Sequence, residues 1–277
     1  MTTRGEFAVY SIAAGLLALS VAWPITFASH EEMATAPDVG PSHGTAPVQF
    51  TEYTRVPAGE RKVVRLKAVL AAGNASIPNF DNAVREVDKL LRQAGAQTVL
   101  LTSDAQLISG GRGEATGDAI DQALTKLEPQ PGEGCLVFVT SHGSEAGLSM
   151  SRDRAGGGRL APERLADILD EHCRGLPTVA ILSGCHSGTY VTPLMTAENR
   201  IILTAARRDR TSFGCSADFE FTYFDECLIG ALKNMDAWVD VFDRTKACVT
   251  IKESIKLIGR SYPQSSFGAE VGTLSLR

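Results

Sequence analysis

Residues 135–143, CLVFVTSHG, and residues 178–188, TVAILSGCHSG, decide how this chain folds and where its chemistry lies. Each opens as an unbroken apolar run, Cys135–Thr140 and Thr178–Leu182, and then breaks into small polar residues and glycine. An apolar run without alternation is the pattern of a strand buried on both faces, as in a parallel sheet. Between the two runs, Pro162–Cys173 has helical apolar spacing, with Pro near its first turn. Strand, helix and strand make one βαβ crossover, so the two strands are neighbours, about 4.8 Å apart. Ligands of such sheets sit beyond the carboxyl ends of the strands. His142 and Cys185 stand there. An imidazole and a thiol in one small volume supply a nucleophile and its base. Gly143 and Gly184 leave room for a substrate backbone, and loop amides beside them supply an oxyanion hole. His186 is a rival base, but adjacent residues on a turn rarely face each other, so His142 is preferred.

The pattern continues outward from this pair. Lys62–Ala72 reads as a strand, Asn79–Ala94 as a helix with apolar residues at 80, 83, 84, 87, 90 and 91, and Gln97–Leu101 as a short strand. Gly110–Gly113 reads as a loop and Thr116–Leu127 as a second helix. Beyond the cysteine come a strand at Arg200–Ala205 and helices around Tyr223–Asn234 and Trp238–Leu257. Alternating strands and helices predict an α/β fold: a three-layer sandwich with a mostly parallel sheet and helices on both faces.

Residues 7–28, FAVYSIAAGLLALSVAWPITFA, are almost entirely apolar or small. One reading is a signal peptide, with an apolar stretch at Ala8–Trp23, a breaker at Pro24 and a small-x-small cleavage site at Thr26–Ala28. The other is an uncleaved anchor attached to the membrane, since 22 residues can span a bilayer. Both readings export the rest of the chain. Residues 29–60, rich in Ala, Pro, Ser, Gly and Glu, read as a linker, which leaves 61–277 as the folded domain. The net charge of −5 and 6% aromatic content argue against a nucleic-acid partner. The six cysteines show no C-x-x-C spacing, so neither a metal nor another cofactor is expected. Export permits disulfides. Cys135 and Cys173 lie near the amino ends of adjacent strands, where a bridge fits; the sequence does not choose among Cys215, Cys227 and Cys248.

SHG after one strand and SGCHSG after the next resemble the caspase-like cysteine peptidases, most closely the legumain (C13) family in its bacterial branch, without the C-terminal prodomain of the animal and plant enzymes. AAGNASIPNFDNAV resembles that family's first strand and following loop, and LTAARRDRTSFGCS with FTYFDECL resembles its cleft-forming segment. The likeness runs over roughly residues 63–275. It implies a cysteine endopeptidase acting on peptide or protein substrates, with His142 as general base, Cys185 as nucleophile, Gly143 as an oxyanion contributor and Asn79 orienting the histidine. Read from the residues alone, Asn79 is a helix N-cap. The resemblance also implies a pocket at Asp81, Asn82, Ser183, Ser212 and Asp225. The family carries a basic pair where Asp81 and Asn82 stand, and an acidic residue where Ser183 stands. Two carboxylates, Asp81 and Asp225, then predict a basic P1 side chain, with Asn second. Asp81 read alone is an acidic residue complementing a helix start.

Other signals are weaker. Gly156–Gly158 lacks the frame of a nucleotide loop, and no G-x-S-x-G elbow is present. Asn74-Ala75-Ser76 is a glycosylation sequon. Arg207, Arg208 and Arg210 read as a solvated loop or as the cleft rim. His172 sits at a helix end, and His30 and His43 precede the domain. Two rival functions stand beside the peptidase: a transpeptidase or ligase, in which an amine resolves the acyl-enzyme, and a non-catalytic interaction module. Having both His142 and Cys185 argues against the module. A monomer is expected.

Overall fold

Seven strands make the central sheet of the computed structural model, which describes residues 56–151, 158–234, 236–256 and 259–276. In chain order they are β1 (Arg65–Ala72), β2 (Gln97–Thr102), β3 (Gly113–Glu114), β4 (Glu133–Thr140), β5 (Thr178–Ser183), β6 (Arg200–Thr204) and β7 (Gln264–Phe267). Across the sheet the order is β7-β6-β5-β4-β1-β2-β3. The pairings are parallel except for β6 with β7, which is antiparallel. The helices are α1 (Asn79–Gln93), α2 (Ala105–Ser109), α3 (Gly117–Leu127), α4 (Pro162–His172), α5 (Tyr223–Leu232) and α6 (Trp238–Ile255).

Side-chain alternation along β1 splits the core in two. Leu66, Ala68, Leu70 and Ala72 join one apolar cluster with α1, α5 and α6, while Val69 and Ala71 join the other with α3 and α4. The sheet is therefore covered on both faces, which is why β4 and β5 read as unbroken apolar runs. Each fully buried Leu, Ile or Val contributes about 1.5–3 kcal/mol of hydrophobic transfer. This is the three-layer α/β arrangement expected from the sequence.

Several elements differ from the expectation, among them the short edge strands β3 and β7, which the sequence did not mark. The predicted first strand is interrupted at Val64, and Lys62–Val63 pairs instead with Leu274–Ser275. The five residues of α2 are too few to show a helical period; Asp104 caps them, accepting from the Gln106 and Leu107 amides. Directly after His142 a small antiparallel sheet forms from Gly143–Ser144, Gly147–Ser149 and Arg159–Leu160.

Cys135 is bonded to Cys173 and Cys227 to Cys248, closing spans of 38 and 21 residues. On chain-entropy grounds each contributes about 3–4 kcal/mol. The first bridge is the one expected from strand geometry. Cys185 and Cys215 are free. The apolar segment 7–28, the linker up to residue 55, His30, His43, Gly156, Gly157 and Leu257 lie outside the described residues. Among the described residues no helix is long and apolar enough to cross a membrane.

Candidate active site

Thr140 at the end of β4 pairs with Ser183 at the end of β5. The ladder runs one residue further, the Ser141 amide donating to the Ser183 carbonyl at 2.9 Å. His142 and Cys185 each stand two residues past that pair, so they leave the sheet side by side. The two exits are in contact. A Cβ on Gly143 would lie 2.0 Å from the Cys185 carbonyl oxygen, and a Cβ on Gly184 would lie 2.6 Å from the Ser141 carbonyl. Both positions require glycine for this close approach.

The Cys185 thiol is half-buried and lies against Ser212. The Ser212 amide approaches Sγ at 3.3 Å, and its hydroxyl and carbonyl lie at 3.7 Å. A four-residue 3-10 turn at Ser187–Tyr190 follows the cysteine, too short to act as a helix N-terminus for the thiolate. His186 has φ 58° and points away from the thiol: its Nδ1 bonds the Arg208 carbonyl at 2.9 Å and its amide donates to Arg210 at 2.8 Å. His186 thereby ties the Cys185 loop to the Arg207–Arg210 segment. Arg207 and Arg210 flank the exposed Tyr262 ring at 5.1 and 5.8 Å.

His142 is half-buried. Its Nε2 lies 3.0 Å from the Ser76 hydroxyl, and the Phe80 ring meets it edge-on at 5.2 Å. Asn79, expected to orient this ring, is occupied elsewhere. It is fully buried at the start of α1, where its amide nitrogen donates to the carbonyls of Gly214, Ser216 and Phe219 at 3.2, 3.1 and 2.8 Å. It is also not an N-cap, since Pro78 holds that position and α1 has no side-chain cap bond. Asn82 adds a bond to the Glu220 carbonyl at 3.0 Å. The first turn of α1 thus clamps the 214–220 loop.

The two acidic residues expected in the pocket stand in the first turns of different helices, Asp81 in α1 and Asp225 in α5, and both are buried. Asp81 accepts from Thr102 at 2.8 Å and pairs with Arg112 at 3.5 Å. Burial raises its pKa against both partners. It stands beside a cavity of about 360 Å³ lined by Ser76, Asp81, Asn82, Arg85, Asp104 and Leu107. Asp225 is 0% exposed and accepts from Thr140 at 2.7 Å. Burial pushes its pKa up, while the hydroxyls of Thr140, Ser183 and Thr222 oppose the rise. Ser183, at the end of β5, thus hydrogen-bonds Asp225. Of the two acidic positions expected in the pocket, Asp81 has an arginine partner and Asp225 is fully buried.

Three residues near the site escaped the sequence reading as site residues. Ser76 was noted only within a sequon. Phe80 read as a core helix position. Cys215 was one of several unassigned thiols; burial pushes it up to about 12, Cys185 and Asp225 add to the rise, and the Ser212 hydroxyl opposes it. For metal binding, Asp121, Glu171 and His172 are the described group whose ligand atoms lie within 4.8 Å of one another, but Arg164 already pairs with Asp121 at 2.7 Å.

Comparison with known proteins bears on the family and the fold. The family model described as peptidase C13 matches residues 113–267, which include His142 and Cys185. Among solved structures, the crystal structure of caspase-1 from Spodoptera frugiperda matches with a TM-score of 0.54 at 12% identity, over 78% of this chain and 88% of that one. That likeness is one of fold. No curated protein matches the chain.

Proposed function

The chain belongs to the peptidase C13 family, and from that premise we propose that it is an exported cysteine endopeptidase working through Cys185 and His142. The observation that carries the reading is the paired exit of these two residues from β4 and β5, with Gly143 packed on the Cys185 carbonyl. The Cys185 thiol gives its proton to His142 and attacks the carbonyl carbon of the scissile bond. The carbonyl oxygen takes up the negative charge and is held by the Gly143 amide. Collapse of the tetrahedral intermediate breaks the C–N bond, and the leaving amine takes the proton from His142. Water, deprotonated by His142, then attacks the thioester, releasing the acid and restoring the thiol.

Support for export comes from the two disulfides, which persist in oxidising compartments, together with the apolar segment 7–28 acting as signal peptide or anchor. Both catalytic side chains come from one chain, so a monomer carries a complete site for a peptide or protein substrate. At P1 the sequence points to a basic residue or Asn. The Asp81–Arg112 pair and the enclosure of Asp225 remove the carboxylates a cation needs when desolvated, which favours Asn.

The test is turnover of a peptide library varied at P1 by the exported chain, its Cys185→Ala form and its His142→Ala form. Loss of cleavage in both variants, with unchanged melting temperatures, is expected. Full activity in either variant refutes the dyad. A higher kcat/KM for Arg or Lys than for Asn refutes the P1 reading alone.

A further inference from the structure

The loop between β1 and α1 is held firmly at several points. The Gly73 amide donates to the Thr140 carbonyl at 3.0 Å, and a Cβ on Gly73 would lie 2.2 Å from the Ser149 carbonyl oxygen. The loop is therefore pressed onto the segment that carries His142. One residue on, Asn74 Oδ1 accepts from the Ser76 amide at 2.8 Å, closing an Asx turn. That turn sets the direction of the Ser76 side chain, whose hydroxyl lies 3.0 Å from His142 Nε2. The Phe80 ring, the other contact described above, packs at a right angle to the imidazole and carries no polar atom. The amide nitrogen of Asn79 is committed to three loop carbonyls, and among the described residues its buried Oδ1 has no hydrogen-bond partner.

We propose that Ser76, braced by Asn74, is the positioning residue of His142, filling the role that the family resemblance implied for Asn79. The proposal rests on the reading of His142 as the base. A neutral imidazole has one N–H and one lone pair, and the partner of one nitrogen decides which is which. With the Ser76 oxygen accepting the Nε2 hydrogen, the lone pair is on Nδ1, and Nδ1 is the atom that takes the thiol proton. The same hydrogen bond persists in the imidazolium, so the ring does not turn between proton uptake and proton delivery. Without Ser76 both tautomers are populated, and the ring keeps its contact with Phe80 but loses this hydrogen bond. The sequon noted in the sequence thus has a use that needs no glycan: Asn74 sets Ser76, and Ser76 sets His142.

The experiment has two arms, both on the exported chain. The kinetic arm measures kcat and KM for Ser76→Ala, Ser76→Thr and Asn74→Ala. One neutral hydrogen bond predicts a fall in kcat of about 3- to 10-fold for Ser76→Ala, with KM unchanged within about twofold. Ser76→Thr keeps the hydroxyl and restores kcat; Asn74→Ala lowers it less than Ser76→Ala does. The second arm records the ring nitrogens of His142 by 15N NMR in a Cys185→Ala background and needs no substrate. The expected result is the Nε2–H tautomer when Ser76 is present and a mixture of tautomers in Ser76→Ala. An unchanged tautomer in Ser76→Ala overturns the proposal, as does a loss that appears in KM alone or one that Ser76→Thr fails to restore. Full activity in His142→Ala takes down the functional reading itself. An inactive His142→Ala beside an unaffected Ser76→Ala takes down only the role of Ser76.

Discussion

Gly143 and Cys185 touch backbone to backbone: a single methyl group on Gly143 would sit 2.0 Å from the Cys185 carbonyl oxygen. No side-chain rotation relieves a clash between a Cβ and a carbonyl, so one loop must move. Gly143→Ala is expected to lower kcat/KM roughly 100-fold, the usual effect of displacing a catalytic group by a fraction of an ångström to one ångström. Steady-state kinetics beside a thermal melt checks this. Near-normal kcat/KM would mean that the two loops are not held in this contact.

The two free thiols should differ sharply in reactivity. Burial pushes Cys215 up to about 12, so little of it is thiolate near neutral pH. Iodoacetamide at about pH 7.5, below the ordinary thiol range, is expected to label Cys185 and to leave Cys215 unmodified until the chain is denatured. Peptide mapping by mass spectrometry reads both sites. Equal labelling would contradict the raised pKa of Cys215.

Asp225 predicts a pH dependence of stability with a definite sign. Its folded-state pKa is raised by burial, so the folded chain holds this proton more tightly than the unfolded chain. Stability from this group is present below the unfolded pKa of about 3.9 and is lost as pH rises through the folded value. Asp225→Asn removes the charge while its amide oxygen still accepts from Thr140. The variant should be more stable than the parent near neutral pH, with the difference shrinking as pH falls toward the unfolded value. Urea titrations across that range measure it, and a constant difference would show that the charge is not the cause.

Tyr190 stitches the small sheet that follows His142. Its buried hydroxyl accepts from the Leu148 amide at 3.0 Å and donates to the Leu160 carbonyl. Tyr190→Phe removes both bonds inside the fold and should cost about 1–3 kcal/mol of stability. Because the same sheet carries Gly143, kcat should fall with it. Denaturant unfolding and steady-state assays on one preparation test the link; lost stability with full activity would break it.

How much of this was legible depends on the range of each interaction. The runs Cys135–Thr140 and Thr178–Leu182 announced themselves because burial on both faces imposes apolar residues without interruption. From those strands the adjacency of His142 and Cys185 and the Cys135–Cys173 bridge followed. The strand β7, QSSF, shows no apolar alternation and is a strand only because β6 offers it an edge. Asn79 misled for a similar reason. Its partners lie 135 to 140 residues away, and no local pattern distinguishes a loop clamp from a histidine partner. Asp81 and Asp225 showed their charge in the sequence, but Arg112 and Thr140, which answer them, belong to other elements.

Each disulfide joins a cysteine to the next one along the chain: Cys173 follows Cys135, and Cys248 follows Cys227. A chain that emerges amino end first therefore presents Cys173 to Cys135 before Cys185 has appeared. Neither closed loop encloses Cys185 or Cys215, so pairing between nearest neighbours leaves both free thiols outside the cross-linked segments. A circular permutant opened between Cys135 and Cys173 would make Cys173 the first cysteine of its chain and Cys135 the last, turning the shortest route to that bridge into the longest.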